Sequence, residues 1–259
     1  MTSATPARRS DLMTRVIAGL AMIAVAVACL WFGGLAFWAL AAVAAILMFV
    51  EWAGLMGIRR AWIAMILFAV PLLYACPLLG GVDRNTVAIL VIAAMLVGLG
   101  GGGGRLAGGV LYAGLPAICL LFLRDQPQGI GLTLWTLAAV WATDIGAFFA
   151  GRGIGGPKLA PAISPNKTWA GLAGGIVAAA IIGALIAYAL KLPAGLTLLG
   201  GPIAILAQMG DLYESWLKRR VGVKDSGSLL PGHGGVLDRL DGLVPVAVVV
   251  ATLYAAGAL

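Results

Sequence analysis

Between Ser215 and Asp241 the chain reads S-W-L-K-R-R-V-G-V-K-D-S-G-S-L-L-P-G-H-G-G-V-L-D-R-L-D. This run collects Lys218, Arg219, Lys224, Asp225, His233, Asp238, Arg239 and Asp241 in a chain that is 62% hydrophobic and only 10% charged. Ionisable groups at or near a bilayer are costly unless they have partners or a wet cavity, so their concentration here marks a place for chemistry. Asp211, Glu214 and Ser215 stand at i, i+3 and i+4, which a helix places on one face, and Lys218 continues that face. Asp238 and Asp241 repeat the i, i+3 spacing. Two helices that each offer carboxylates one turn apart can converge on a hard cation. Carboxylate oxygens suit Mg²⁺, which keeps some of its water and recruits phosphate oxygens. Cys29, Cys76 and Cys119 stand singly in apolar stretches, and no His–Cys set competes for zinc. The lone His233, between glycines, reads equally as a phosphate contact, a general acid or a turn residue.

Upstream, Asp144 interrupts an apolar helix in W-A-T-D-I-G-A-F-F-A-G-R, which makes it a functional candidate by default. It is followed by the polar loop G-R-G-I-G-G-P-K-L-A-P-A-I-S-P-N-K-T-W, with Arg152, Lys158 and Lys167. Glycine amides and lysines together make an anion cradle. The loop lacks the G-K-S/T ending of a Walker A motif. Ser164 or Thr168 also reads as the N-cap of the next helix. Oxygen ligands, lysines, arginines and a glycine-rich loop fit phosphoryl or nucleotidyl transfer, where a protein mainly positions reactants and neutralises charge.

The elements that carry these groups are apolar. A spanning helix needs roughly 20 mostly apolar residues. About nine such stretches follow on that criterion, near 12–32, 34–51, 61–80, 86–104, 106–123, 130–150, 168–190, 196–215 and 236–256. The expectation is an all-α, polytopic transmembrane protein, a single integral membrane domain over 1–259. Residues 1–125 would supply apolar helices and 126–259 the catalytic helices and loops. The basic N-terminus (Arg8, Arg9, Arg15) and the long run after it read as a first span rather than a cleaved signal. Of the 17 lysines and arginines, only Arg84, Arg124 and Lys191 fall in one set of loops. The positive-inside rule therefore assigns the other set, and the polar run with it, to the cytoplasm. Glu51, at the end of the second stretch, reads as an interfacial carboxylate paired with Arg59 or Arg60. Thirty-eight glycines, including Gly171, Gly174 and Gly175 on the seventh stretch, predict close helix packing. The net charge of +7 suits anionic headgroups, and no soluble basic domain exists to hold nucleic acid.

With these residues in view, the 215–241 run resembles the signature of the phosphatidate cytidylyltransferase (CDP-diacylglycerol synthase) family. That pattern is S-x-hydrophobic-K-R-x4-K-D-x-small-x2-hydrophobic-P-x-H-G-G-hydrophobic-x-D-R-hydrophobic-D, and every specified position matches. The segments D-I-G-A-F-F-A-G-R and S-P-N-K-T-W are also similar to the family, so the resemblance is strong over about residues 140–245. It implies transfer of the cytidylyl group of CTP to phosphatidate, giving CDP-diacylglycerol and pyrophosphate, at the cytoplasmic face of the bacterial inner membrane. It also implies Mg²⁺ dependence, a K⁺ ion as second metal, and a homodimer. By position, the metal ligands would be Asp211, Asp238 and Asp241. Catalytic roles would fall to Asp211, Asp238, Lys167, Lys218, Arg219, Lys224 and His233. Substrate contacts would come from Asp144, Ser164, Asn166, Ser215, Asp225 and Arg239. One departure is Ala170, where many members carry Glu after S-P-N-K-T-W. A CDP-alcohol phosphotransferase would need D-G-x-x-A-R and a G-x-x-x-D-x-x-x-D arrangement, which is absent. An ion-coupled transporter would hold its charges near the bilayer midplane, whereas most of these lie at helix ends.

Overall fold

The computed structural model describes residues 7–58, 61–227, 229 and 234–259, with side chains from residue 19 onward. Its helices are α1 (Ala7–Phe32), α2 (Gly34–Leu55), α3 (Trp62–Tyr74), α4 (Arg84–Val97), α5 (Gly103–Arg124), α6 (Gly129–Gly153), α7 (Trp169–Ala189), α8 (Leu196–Arg220), α9 (Leu237–Leu240) and α10 (Leu243–Ala255). One expectation needs amending, because the loop between α6 and α7 is not wholly irregular. Strands β1 (Lys158–Ala160) and β2 (Ser164–Thr168) pair there as an antiparallel ribbon, Lys158 opposite Thr168 and Ala160 opposite Ser164. Pro165 within β2 hides this ribbon from a sequence reading, since proline is tolerated only on the edge of a sheet.

Among the described residues, five stretches are long and apolar enough to cross a membrane: Gly34–Leu55, Arg84–Arg124, Gly129–Gly153, Trp169–Ala189 and Leu196–Arg220. Shorter apolar helices cover Gly19–Phe32, Trp62–Tyr74 and Leu243–Ala255. Length and composition thus support five candidate spans of the nine expected. The third stretch ends early, where Pro77 begins a 3-10 turn. In the ninth, Asp241 and Gly242, both with right-handed helical backbone angles, link the short α9 to α10. Arg84–Arg124 is folded back on itself. A Cβ on Gly98 would lie 3.4 Å from that of Ala107, and Gly114 faces the Leu90 side chain, so α4 and α5 run antiparallel. The reversal passes through Gly101 (φ 96°) and Gly103 (φ 60°), backbone angles that glycine adopts without a steric penalty.

Close packing of α6, α7 and α8 follows from small residues. A Cβ on Gly146 would stand 2.6 Å from the Gly174 carbonyl, and one on Gly174 would stand 2.8 Å from that of Gly146. Gly171 and Gly175 meet the carbonyls of Ala147 and Thr143 in the same way, at 3.0 and 2.9 Å. Without a hydrophobic drive between helices in lipid, such backbone contact supplies the van der Waals attraction. Further along the pair, Trp135 is fully buried and its indole N–H donates to the Gly183 carbonyl at 2.8 Å.

One core joins α2 to α5 through Phe49, Phe68, Leu90 and Val110, and also takes in Leu237. A second joins α6, α8 and α10 through Trp135, Ile203 and Val246. Leu120 and Leu240 pack against both. Outward-facing side chains are also apolar, among them Ile66, Phe149, Leu185 and Leu198. This surface suits lipid better than water.

The two ends of the bundle differ. Arg124 donates from Nε to the Leu30 carbonyl at 2.8 Å, and Gln128 donates to the Lys191 carbonyl at 2.8 Å. Arg84 begins the helix antiparallel to α5, so Arg84, Arg124 and Lys191 share one end. At the other end Trp52 donates to the Arg105 carbonyl at 2.8 Å, and the ribbon meets the end of α8. Replacing Gly174 by Val should separate α6 from α7. The expected cost is about 2 kcal/mol, seen as a lower melting temperature in detergent, while Gly153→Ala, where nothing lies within 4 Å, should leave it unchanged.

Candidate functional site

The polar groups gather at the end of α8 that meets the ribbon. Helical spacing puts Asp211, Glu214, Ser215 and Lys218 on one face, as expected. The Ser215 hydroxyl donates to Asp211 Oδ1 at 3.3 Å. From β2, Lys167 reaches across to Asp211 Oδ2 at 2.6 Å. Lys218 bridges two carboxylates, with its Nζ 2.9 Å from Glu214 Oε2 and 2.5 Å from Asp238 Oδ1. All three side chains of that bridge are largely buried. A buried ion pair is tolerated only with good geometry and further hydrogen bonds, which Asp238 obtains from the backbone. Ser226 N–H donates to its Oδ2 at 3.0 Å and Gly235 N–H at 2.9 Å. Burial by itself would raise the Asp238 carboxyl, but the Lys218 ammonium and these N–H groups outweigh it and hold it below the usual carboxylate range.

Asp241 accepts from the Gly242 N–H at 2.7 Å and lies within electrostatic reach of Asp211 and Glu214. Asp144, exposed on α6, is within reach of Asp211, Lys167 and Arg239. The structure thus brings Asp144, Lys167, Asp211, Ser215, Lys218, Asp238 and Asp241 into one neighbourhood. Others lie around it. Arg219 spends its guanidinium on the carbonyls of Ile163 and Val223, at 3.3 and 3.2 Å, and so ties the ribbon's turn to the end of α8. Lys224 and Asp225 are exposed in the turn after α8, and Asn166 is exposed on β2. Ser164 sits at the ribbon's turn, while Thr168 is the N-cap of α7, its hydroxyl accepting from Gly171 N–H at 3.0 Å. Arg239 is exposed on α9. His233 lies outside the described residues.

Three groups were missed as site residues. Glu214 is fully buried, and its Oε1 has no hydrogen-bond partner; its spacing from Asp211 was the available signal. Tyr112, on α5, packs between Trp52 and Tyr213 at centroid distances of 4.8 and 5.7 Å, within reach of Asp241 and Glu214. No sequence signal marks it. Glu51 is buried rather than interfacial, and both its oxygens accept hydrogen bonds, from Ser226, Val236 and Leu237. Arg59 and Arg60, its expected partners, lie outside the described residues.

Among the described residues, no three His, Cys, Asp or Glu side chains converge as a ready-made metal site. The donors are nonetheless all carboxylates, whose oxygens fit a hard, oxygen-seeking cation. A cavity of about 900 Å³ lies on the opposite face of α8, lined by Trp52, Tyr112, Tyr213 and Trp216, with Arg105 and Arg220.

Carboxylates and lysines clustered at helix ends of an apolar bundle define a membrane protein equipped to handle phosphate groups at its surface. The cytidylyltransferase family model matches residues 13–256, and the chain belongs to the phosphatidate cytidylyltransferase family. It is 42% identical to the phosphatidate cytidylyltransferase of Brucella suis biovar 1, across 96% of this chain and 94% of that one. The Pseudomonas aeruginosa phosphatidate cytidylyltransferase is 37% identical across 80% and 83%. The Bacillus subtilis phosphatidate cytidylyltransferase is 42% identical across 51% and 50%.

Replacing Lys218 by Met should leave the Glu214 and Asp238 carboxylates without their shared cation. The expected loss is about 3 kcal/mol of stability, read as a lower melting temperature in detergent. Adding Glu214→Gln to that variant should recover part of it.

Proposed function

We propose that this protein transfers the cytidylyl group of CTP to phosphatidate, giving CDP-diacylglycerol and pyrophosphate. The single observation that carries the reading is the lysine–carboxylate cluster that the 215–241 run builds with Lys167. Identity to phosphatidate cytidylyltransferases along nearly the whole chain supports it. A phosphate oxygen of phosphatidate attacks the α-phosphorus of CTP. A P–O bond forms there, the bond to the β-phosphate bridge breaks, and pyrophosphate leaves with the electron pair. The nucleophile is already an anion at neutral pH, so no strong general base is required. Lys167 and Lys218 offer ammonium groups to the triphosphate and to the charge that develops on the leaving group. Asp144, Ser164, Asn166, Ser215, Asp225 and Arg239 are the proposed substrate contacts, with Arg219, Lys224 and His233 completing the catalytic set.

Asp211 and Asp238, with Asp241, would hold Mg²⁺, and K⁺ is the proposed second metal. When bound, the metal supplies charge neutralisation at the phosphates. The carboxylate pairing with Lys167 and Lys218 keeps the donors fixed near the triphosphate. The cavity on the other face of α8 has apolar walls, which suit acyl tails, and two guanidinium groups that would attract an anionic lipid. We place the protein in the bacterial inner membrane as a homodimer with the cluster facing the cytoplasm. In this arrangement the short apolar helices and the folded α4–α5 pair complete the nine crossings.

Purified protein in detergent, given phosphatidate, labelled CTP and Mg²⁺, should move label into the organic phase, and EDTA should stop it. Label that stays aqueous with active controls overturns the activity. Asp211→Ala or Asp238→Ala should abolish turnover in folded protein, and full activity in either sinks the ligand assignment. Arg220→Gln should raise KM for phosphatidate and leave KM for CTP unchanged.

A further inference from the structure

Glu51 is 5% exposed and sits at the end of α2, more than 170 residues from its partners. Its Oε1 accepts from Val236 N–H at 2.9 Å. Its Oε2 accepts from Leu237 N–H at 2.8 Å and from the Ser226 hydroxyl at 3.2 Å. The segment is fitted around this carboxylate. A Cβ on Gly227 would lie 2.6 Å from Oε1, and one on Gly235 would lie 2.6 Å from Oε2. Any larger residue at either position would displace Glu51 or the loop.

The same backbone also holds Asp238. Ser226 gives its hydroxyl to Glu51 and its N–H to Asp238. Gly235 gives its N–H to Asp238, and the next N–H, of Val236, goes to Glu51. Two carboxylates therefore grip one stretch of chain from opposite sides. Asp238 in turn sets the position of Lys218. Trp52, the neighbour of Glu51, fixes the end of α2 against α5 through its bond to the Arg105 carbonyl.

We infer that Glu51 is a positioning residue for the transfer reaction, acting through Ser226 and the backbone of residues 235–237 on Asp238 and Lys218. The inference rests on the reading of Asp238 and Lys218 as site residues. A glutamine at 51 would replace one acceptor oxygen by an NH₂ group that faces N–H donors, so at least one of the three bonds is lost without much change in volume.

The test compares wild type, Glu51→Gln, Ser226→Ala and Asp238→Asn as full-length proteins in detergent. Each is read by CTP- and phosphatidate-dependent kinetics, hydrogen–deuterium exchange and melting temperature. For Glu51→Gln the expected result is a kcat lower by about 10- to 100-fold, the scale of a lost supporting hydrogen bond behind a reactive group. KM for phosphatidate should be unchanged, and exchange should quicken in peptides covering 226–238 but not in α6 or α7. Wild-type kcat in Glu51→Gln overturns the inference, whether or not the segment exchanges faster. Faster exchange throughout the chain with a collapse of melting temperature also overturns it, because Glu51 then serves the fold at large. If Glu51→Gln yields no folded protein, Ser226→Ala decides. It removes one of the three bonds, and should give a smaller fall in kcat with the same local change in exchange; no change in either overturns the proposal. Full activity in Asp238→Asn would instead refute the site reading on which the inference stands.

Discussion

Lys218 stands between two carboxylates, Glu214 one helical turn before it and Asp238 on a separate segment. In a bundle whose remaining interior is almost entirely hydrocarbon, that cation cannot be buried alone, and neither can the two acids. The three hold one another in place, and in doing so they hold α9 against the end of α8. The backbone N–H groups of Ser226 and Gly235 complete the arrangement by satisfying Asp238 directly.

A rigid frame is needed to keep such a cluster in register. The α6–α7 contact provides it by bringing backbones together at Gly146, Gly171, Gly174 and Gly175. Thr168 caps α7 where the ribbon ends, so Lys167, one residue earlier, is delivered to Asp211 from a fixed point. Arg219 secures the other side of the ribbon through the Ile163 carbonyl. These bonds fix the site's border.

The apolar first half is not merely a membrane anchor. Glu51 and Trp52 at the end of α2 connect it to the polar run and to α5. Tyr112 extends this connection, lying between Trp52 and Tyr213 and close to Asp241 and Glu214.

The sequence by itself determined the helical class, the helical face shared by Asp211, Glu214, Ser215 and Lys218, and the family. Each follows from periodicity or from a contiguous run of fixed polar residues, which are properties of neighbouring positions in the chain. Thr168 as a cap and the close packing at Gly174 were legible for the same reason. Only the tertiary structure decided that Lys167 meets Asp211, that Lys218 joins Glu214 to Asp238, and that Glu51 belongs with Val236 and Leu237. These contacts are made between elements distant in sequence, and a buried carboxylate's partner is chosen by which donors packing brings within about 3 Å, a distance no local spacing encodes. Where the individual helices end was not legible on the same grounds. Hydropathy counts apolar residues, but the turn at Pro77 and the glycine reversal at 98–103 decide where a helix stops.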